Sequence, residues 1–211
     1  MLLNFVDSQA GQTTIRLVVM KNIFPTGVTL HLKFDLKGST YGRKVPSSLK
    51  KGLSNSCQAS EKERAKNSPT FKDLDFLNLI PDGIQLDPDT YTSLIITIER
   101  DCRVLKSNNN MDYSLLLGIH NLDQAKRDLE REGSNQRSKT NYSDNTSMKS
   151  GIPAANIKGE RLLIFVGIID ILQYWRLSKK VAHTLKAIIT DGVSLFSISL
   201  LGRAYIQEHH Y

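Results

Sequence analysis

The chain has 211 residues, 40% of them apolar, enough for one packed domain or for a part of a larger one. Its 28 Lys and Arg against 21 Asp and Glu give a formal charge of +7. That excess favours an anionic partner: nucleic acid, an acidic membrane surface or a phosphorylated ligand. Two distant cysteines, Cys57 and Cys102, make neither a disulfide framework nor a zinc site, and a reducing compartment is the simpler setting.

No signal-peptide-like apolar region follows Met1, and the longest apolar run, Leu162 to Ile169, is too short to cross a bilayer. Ile15 to Met20 is β-branched and apolar, a strand candidate. After a turn at Pro25-Thr26-Gly27, Val28 to Asp35 alternates apolar and polar residues, as a half-buried strand does. Lys44 to Thr70 carries almost no large apolar residue and predicts a loop or disorder. The clearest helix begins at Asp87, an N-cap followed by Pro88 at the first helical position. Tyr91, Leu94, Ile95, Ile98, Cys102 and Leu105 then share one face, and Asn108-Asn109-Asn110 ends it. A strand is expected over Ser114 to His120. A second polar loop follows over Asp123 to Lys158, and then a buried strand over Leu162 to Ile169, closed by Asp170. A basic, helical segment containing Lys179 and Lys180 comes next, and Val193 to Tyr211 has no defensible period. The pattern predicts an α+β fold, a mixed or antiparallel sheet with one long helix packed against it.

Three carboxylates stand at the edges of these strands: Asp35, Asp112 and Asp170. A carboxylate fixed by a strand end can hold a magnesium ion or orient a hydroxyl, the two tasks that phosphoryl transfer asks of a protein. The alternative for each is an aspartate that caps a turn.

Four blocks surround these residues in order: Asp35-Leu36-Lys37-Gly38-Ser39-Thr40-Tyr41, Phe71-Lys72-Asp73-Leu74-Asp75-Phe76-Leu77, Met111-Asp112-Tyr113-Ser114-Leu115-Leu116 and Gly167-Ile168-Ile169-Asp170-Ile171-Leu172-Gln173. The series resembles the phosphatidylinositol phosphate kinase family, most closely its type I branch, the 4-phosphate 5-kinases. The resemblance implies a partial kinase domain over 1–192, mostly the carboxyl-terminal lobe, with polar loops at 44–70 and 123–158 and a divergent tail at 193–211. It implies transfer of the γ-phosphoryl of ATP, with Mg2+, to a phosphatidylinositol phosphate, turning the 4-phosphate into the 4,5-bisphosphate. In that reading Asp112 is the catalytic aspartate of the substrate hydroxyl, Asp170 binds magnesium and Lys37 lines the cleft. Lys179 and Lys180 meet anionic lipid, where the plain alternative is a solvated helix face. The implied setting is cytoplasmic and peripheral, at the inner face of the plasma membrane.

The resemblance also has gaps. No glycine-rich phosphate loop and no ATP-binding lysine is found before Ile15, and the match fades after Gly192. The expectation is therefore that the isolated chain has no measurable kinase activity. A non-catalytic module that binds anionic lipid or a partner is the rival reading. Nucleic acid is disfavoured, because the basic residues lack interleaved aromatics.

Overall fold

The computed structural model describes residues 2–7, 13–39, 41–46, 69–133 and 150–172. Strands β1 (Leu2–Asp7) and β2 (Thr13–Val18) form an antiparallel hairpin, with Leu2 opposite Val18. The larger sheet holds β3 (Leu32–Leu36), β4 (Ser114–Asn121), β5 (Ile152–Ala155) and β6 (Arg161–Ile169). Its order is β3-β4-β6-β5 and every pair is antiparallel. The helices among the described residues are α1 (Asp73–Leu79), α2 (Pro88–Ser107) and α3 (Leu122–Gly133). None is long and apolar enough to cross a membrane.

Helix α2 forms where the sequence signals it. Asp87 accepts the N–H of Thr90 at 3.2 Å, Pro88 occupies the first position, and Asn109 leaves the helix at φ 56°, a left-handed conformation that asparagine tolerates. Its Ile98 and Cys102 pack on Phe34, Leu36, Leu115, Leu117, Ile119 and Ile164, the alternate residues of one sheet face. Phe34, Leu117 and Ile164 are fully buried, each contributing about 1.5–3 kcal/mol.

The opposite face is built around two glycines. A Cβ at Gly118 would lie 2.6 Å from Phe24 Cε1, and one at Gly167 would lie 2.5 Å from Ile23 Cδ1, nearer than real Cβ atoms come. The segment before β3 therefore crosses this face, and Leu30 joins Leu163 and Phe165 in a second core. That crossing explains a difference from the sequence expectation: the strand begins at Leu32 instead of Val28. The sheet edges are partly covered. Phe71 bonds to the β3 backbone at Lys33 and Asp35, and Gln85 bonds to β5 at Ala155.

The second polar stretch is not one loop. Its start is helix α3 and its later part contains β5. Asn121 Oδ1 caps α3 by accepting the N–H of Gln124 at 2.8 Å, and Arg161 grips Asp123 in the first turn through its backbone N–H and its guanidinium, both at 2.7 Å. Ordering here comes from a cap and an ion pair, which composition does not report. Val45, at the start of the first polar stretch, is buried and donates its N–H to Asp75 Oδ2 at 2.8 Å. Residues 47–68, the Lys179–Lys180 segment and the tail from Val193 lie outside the described residues.

Candidate active site

Register brings the candidate residues to one end of the sheet. Leu36 pairs with Leu115 and Ser114 pairs with Ile169. Lys37 just after β3, Asp112 just before β4 and Asp170 just after β6 therefore emerge side by side. Asp112 and Asp170 both take left-handed backbone, at φ 60° and φ 62°. Aspartate accepts that conformation more readily than most residues, at a cost of about 1 kcal/mol.

Lys37 joins the two loops. Its ammonium donates to the backbone carbonyl of Asp112 at 2.9 Å and stands 3.8 Å from Asp170 Oδ2. The Asp170 side chain is 56% exposed and that of Lys37 29%, so the pair is a solvated one. Asn110 adds a second tie, donating from Nδ2 to the carbonyl of Ile171 at 2.7 Å. The Asp112 loop is anchored on both sides, by buried Met111 and by fully buried Ser114. Tyr113 shares a hydrogen bond with Cys102 of α2. Burial, then the neighbouring thiol, pushes the phenol up to about 12, and burial raises the Cys102 thiol. Both side chains stay neutral and structural.

The turn that carries Lys37 is held by Asp73, a fully buried carboxylate at the start of α1. Asp73 Oδ1 accepts the N–H of Lys37 at 3.0 Å and of Gly38 at 2.8 Å, while Oδ2 accepts Arg43 Nε at 2.7 Å. The Arg43 guanidinium also donates to the backbone carbonyl of Asp35 and lies 3.4 Å from Asp35 Oδ1. Asp35 thus differs from the other two strand-edge carboxylates: it lies inside β3 opposite Leu116, beside Arg43, and does not join the cluster. Sequence reasoning assigned no role to Asp73 or Arg43, and gave Asn110 only the end of the long helix. The available signal was a pair of aspartates, Asp73 and Asp75, set among apolar residues.

Among the described residues no group of three His, Cys, Asp or Glu side chains could hold a metal on protein ligands alone. Asp170 nevertheless suits Mg2+: it is a hard oxygen donor, exposed, with its neighbouring ammonium beyond hydrogen-bond length. Mg2+ takes one or two carboxylates and completes its shell with water and phosphate oxygens.

An antiparallel sheet backed by a long helix, with carboxylates and a lysine converging at one end, defines a candidate phosphoryl-transfer site. Comparison with known proteins gives it a family. Residues 2–199 match the family model described as Phosphatidylinositol-4-phosphate 5-Kinase, and the chain belongs to that family. It is 47% identical to mouse phosphatidylinositol 4-phosphate 5-kinase type-1 alpha over 210 residues, and 46% identical to the human type-1 alpha protein over 214. Identity to the mouse type-1 beta protein is 43% over 210 residues. Each match covers 87% of this chain but only 34–36% of the relative, so the chain spans about a third of the length of these curated relatives.

Proposed function

We propose that the chain supplies the catalytic carboxylates of a carboxyl-terminal kinase lobe, in a protein that transfers the γ-phosphoryl of ATP to a phosphatidylinositol phosphate. The 4-phosphate, giving the 4,5-bisphosphate, is the proposed substrate. The carrying observation is one ammonium shared by two loops, Lys37 Nζ lying 2.9 Å from the Asp112 carbonyl and 3.8 Å from Asp170 Oδ2.

Asp112 orients the inositol hydroxyl and takes its proton as the oxygen bonds to the γ-phosphorus and the bond to ADP breaks. Asp170 holds Mg2+, which when bound neutralises charge on the phosphates. Lys37 lines the cleft between the two. The protein works as a peripheral enzyme on the cytoplasmic face of the plasma membrane. Lys179 and Lys180 face anionic lipid there, each adding about 1 kcal/mol of attraction.

The test replaces the matching segment of the mouse type-1 alpha relative with residues 13–172 of this chain. The chimera is assayed with ATP, Mg2+ and vesicles containing phosphatidylinositol 4-phosphate. Turnover is expected, falling by about 100-fold or more in Asp112→Asn and in Asp170→Asn. A folded chimera without turnover, or one indifferent to both changes, overturns the reading. Pelleting of the 211-residue chain with anionic vesicles tests the basic pair: Lys179→Gln with Lys180→Gln should weaken binding. Binding in a chain whose chimera is inert favours the non-catalytic lipid module, for which the charge of +7 speaks.

A further inference from the structure

Asp73 is fully buried, and the proposed chemistry gives it no task. Burying a carboxylate is costly unless charged and N–H partners replace water, and here both oxygens are satisfied. The partners are informative. Strand β3 ends at Leu36, so no ladder bond continues into the next two residues, and their N–H groups go to Asp73 Oδ1 instead, at 3.0 and 2.8 Å. Gly38 has φ 69°, so the chain turns there. Arg43 closes the network, bonded to Asp73 Oδ2 at 2.7 Å and to the Asp35 carbonyl of the strand itself. Helix α1 is in turn fixed to the same strand by Phe76, whose ring meets Phe34 edge-on at 5.0 Å.

We infer that Asp73, together with Arg43, is a positioning residue: it locks the Lys37–Gly38 turn so that the Lys37 ammonium reaches the Asp112 and Asp170 loops. The catalytic meaning of that placement rests on the function proposed above, whereas the placement itself is open to direct measurement.

The experiment uses the 15N-labelled 211-residue chain at mildly acidic pH and low temperature. The Lys37 ammonium resonance is identified by its loss in Lys37→Gln. In the wild type the bond to Asp112 slows its hydrogen exchange. In Asp73→Ala, which removes both acceptor oxygens, exchange should accelerate about fivefold or more, the equivalent of one hydrogen bond, while β4 and β6 amides stay protected. Arg43→Lys keeps the charge but loses the two-sided grip, and should give an intermediate rate. Unchanged ammonium exchange in both folded variants overturns the inference. Loss of protected β4 and β6 amides in both variants overturns it too, because the network would then be a folding element only. A normal result here, with no turnover in the chimera, would sink the kinase reading and leave the positioning role intact.

Discussion

At one end of the sheet Asp123 and Glu160 each have an arginine at 2.7 Å, Arg161 and Arg127 respectively. At the other end Asp170 has Lys37 at 3.8 Å. Glu160 accepts further bonds from Asn121 and Asn156, and Asp123 takes the backbone N–H of Arg161. Those hydrogen bonds, from Arg127 and the two asparagines on Glu160 and from Arg161 on Asp123, hold both carboxyls below their ordinary titration range. The contrast separates two uses of the same functional group. A carboxylate whose lone pairs are filled by its own chain fastens α3 and the β5–β6 turn. Asp170, open to solvent on a left-handed residue, has accessible oxygens, as the magnesium role proposed for it requires.

The sharpest way to break this comparison is to neutralise one carboxylate at each end of the chimera. Asp170→Asn should cost turnover about 100-fold or more, whereas Glu160→Gln should leave it within about twofold. Equal losses would mean that the distinction between filled and open carboxylates has no functional content.

The end of the sheet away from the site also holds two imidazoles, half-buried His31 and buried His120, with ring centroids 5.2 Å apart. Burial, with His120 adding to it and Asp128 opposing it, lowers His31 from 6.5 to about 4. A folded-state value below the unfolded one means the unfolded chain binds the extra proton first. The stability contribution is therefore complete above about pH 6.5 and is lost as pH falls towards 4. Allowing for the partial exposure of His31, the loss is on the order of 2 kcal/mol. Chemical denaturation at pH 7 and at pH 4.5 should show it, and His31→Gln should flatten that part of the profile. A profile unchanged by the substitution would assign the acid sensitivity to other groups.

Sequence revealed these features unequally, for physical reasons. The α2 cap, the apolar stripe from Tyr91 to Leu105 and the strands holding Leu115 and Ile164 are local patterns, and they stand where the pattern puts them. Lys37, Asp112 and Asp170 were legible as motif words, and pairing register explains why they meet. Helix α3 was missed: its Asn121 cap is local, but Arg161 grips Asp123 from 38 residues away, a contact that spacing does not report. Asp73 escaped for the same reason: its partner N–H groups lie 36 and 35 residues away, and spacing says nothing of such a contact.

The smallest expected effects set the two ends apart by stability alone. Glu160→Ala takes a half-enclosed carboxylate away from three donor side chains and strands two asparagines, so a loss of about 1–2 kcal/mol is expected. Lys37→Met should do much less. Two unit charges about 4 Å apart in water attract by about 1 kcal/mol, and the exposed setting of Asp170 keeps the effective dielectric high. Ordering a lysine side chain costs about 1.5–2 kcal/mol of rotamer entropy, which offsets that attraction and most of the hydrogen bond to Asp112. The net change in unfolding free energy should lie within about 0.5 kcal/mol, with little dependence on salt. Urea titrations of the two variants under one set of conditions decide the matter. A loss of about 2 kcal/mol or more in Lys37→Met would make Lys37 and Asp170 another structural ion pair, and the two ends of the sheet would no longer differ in kind.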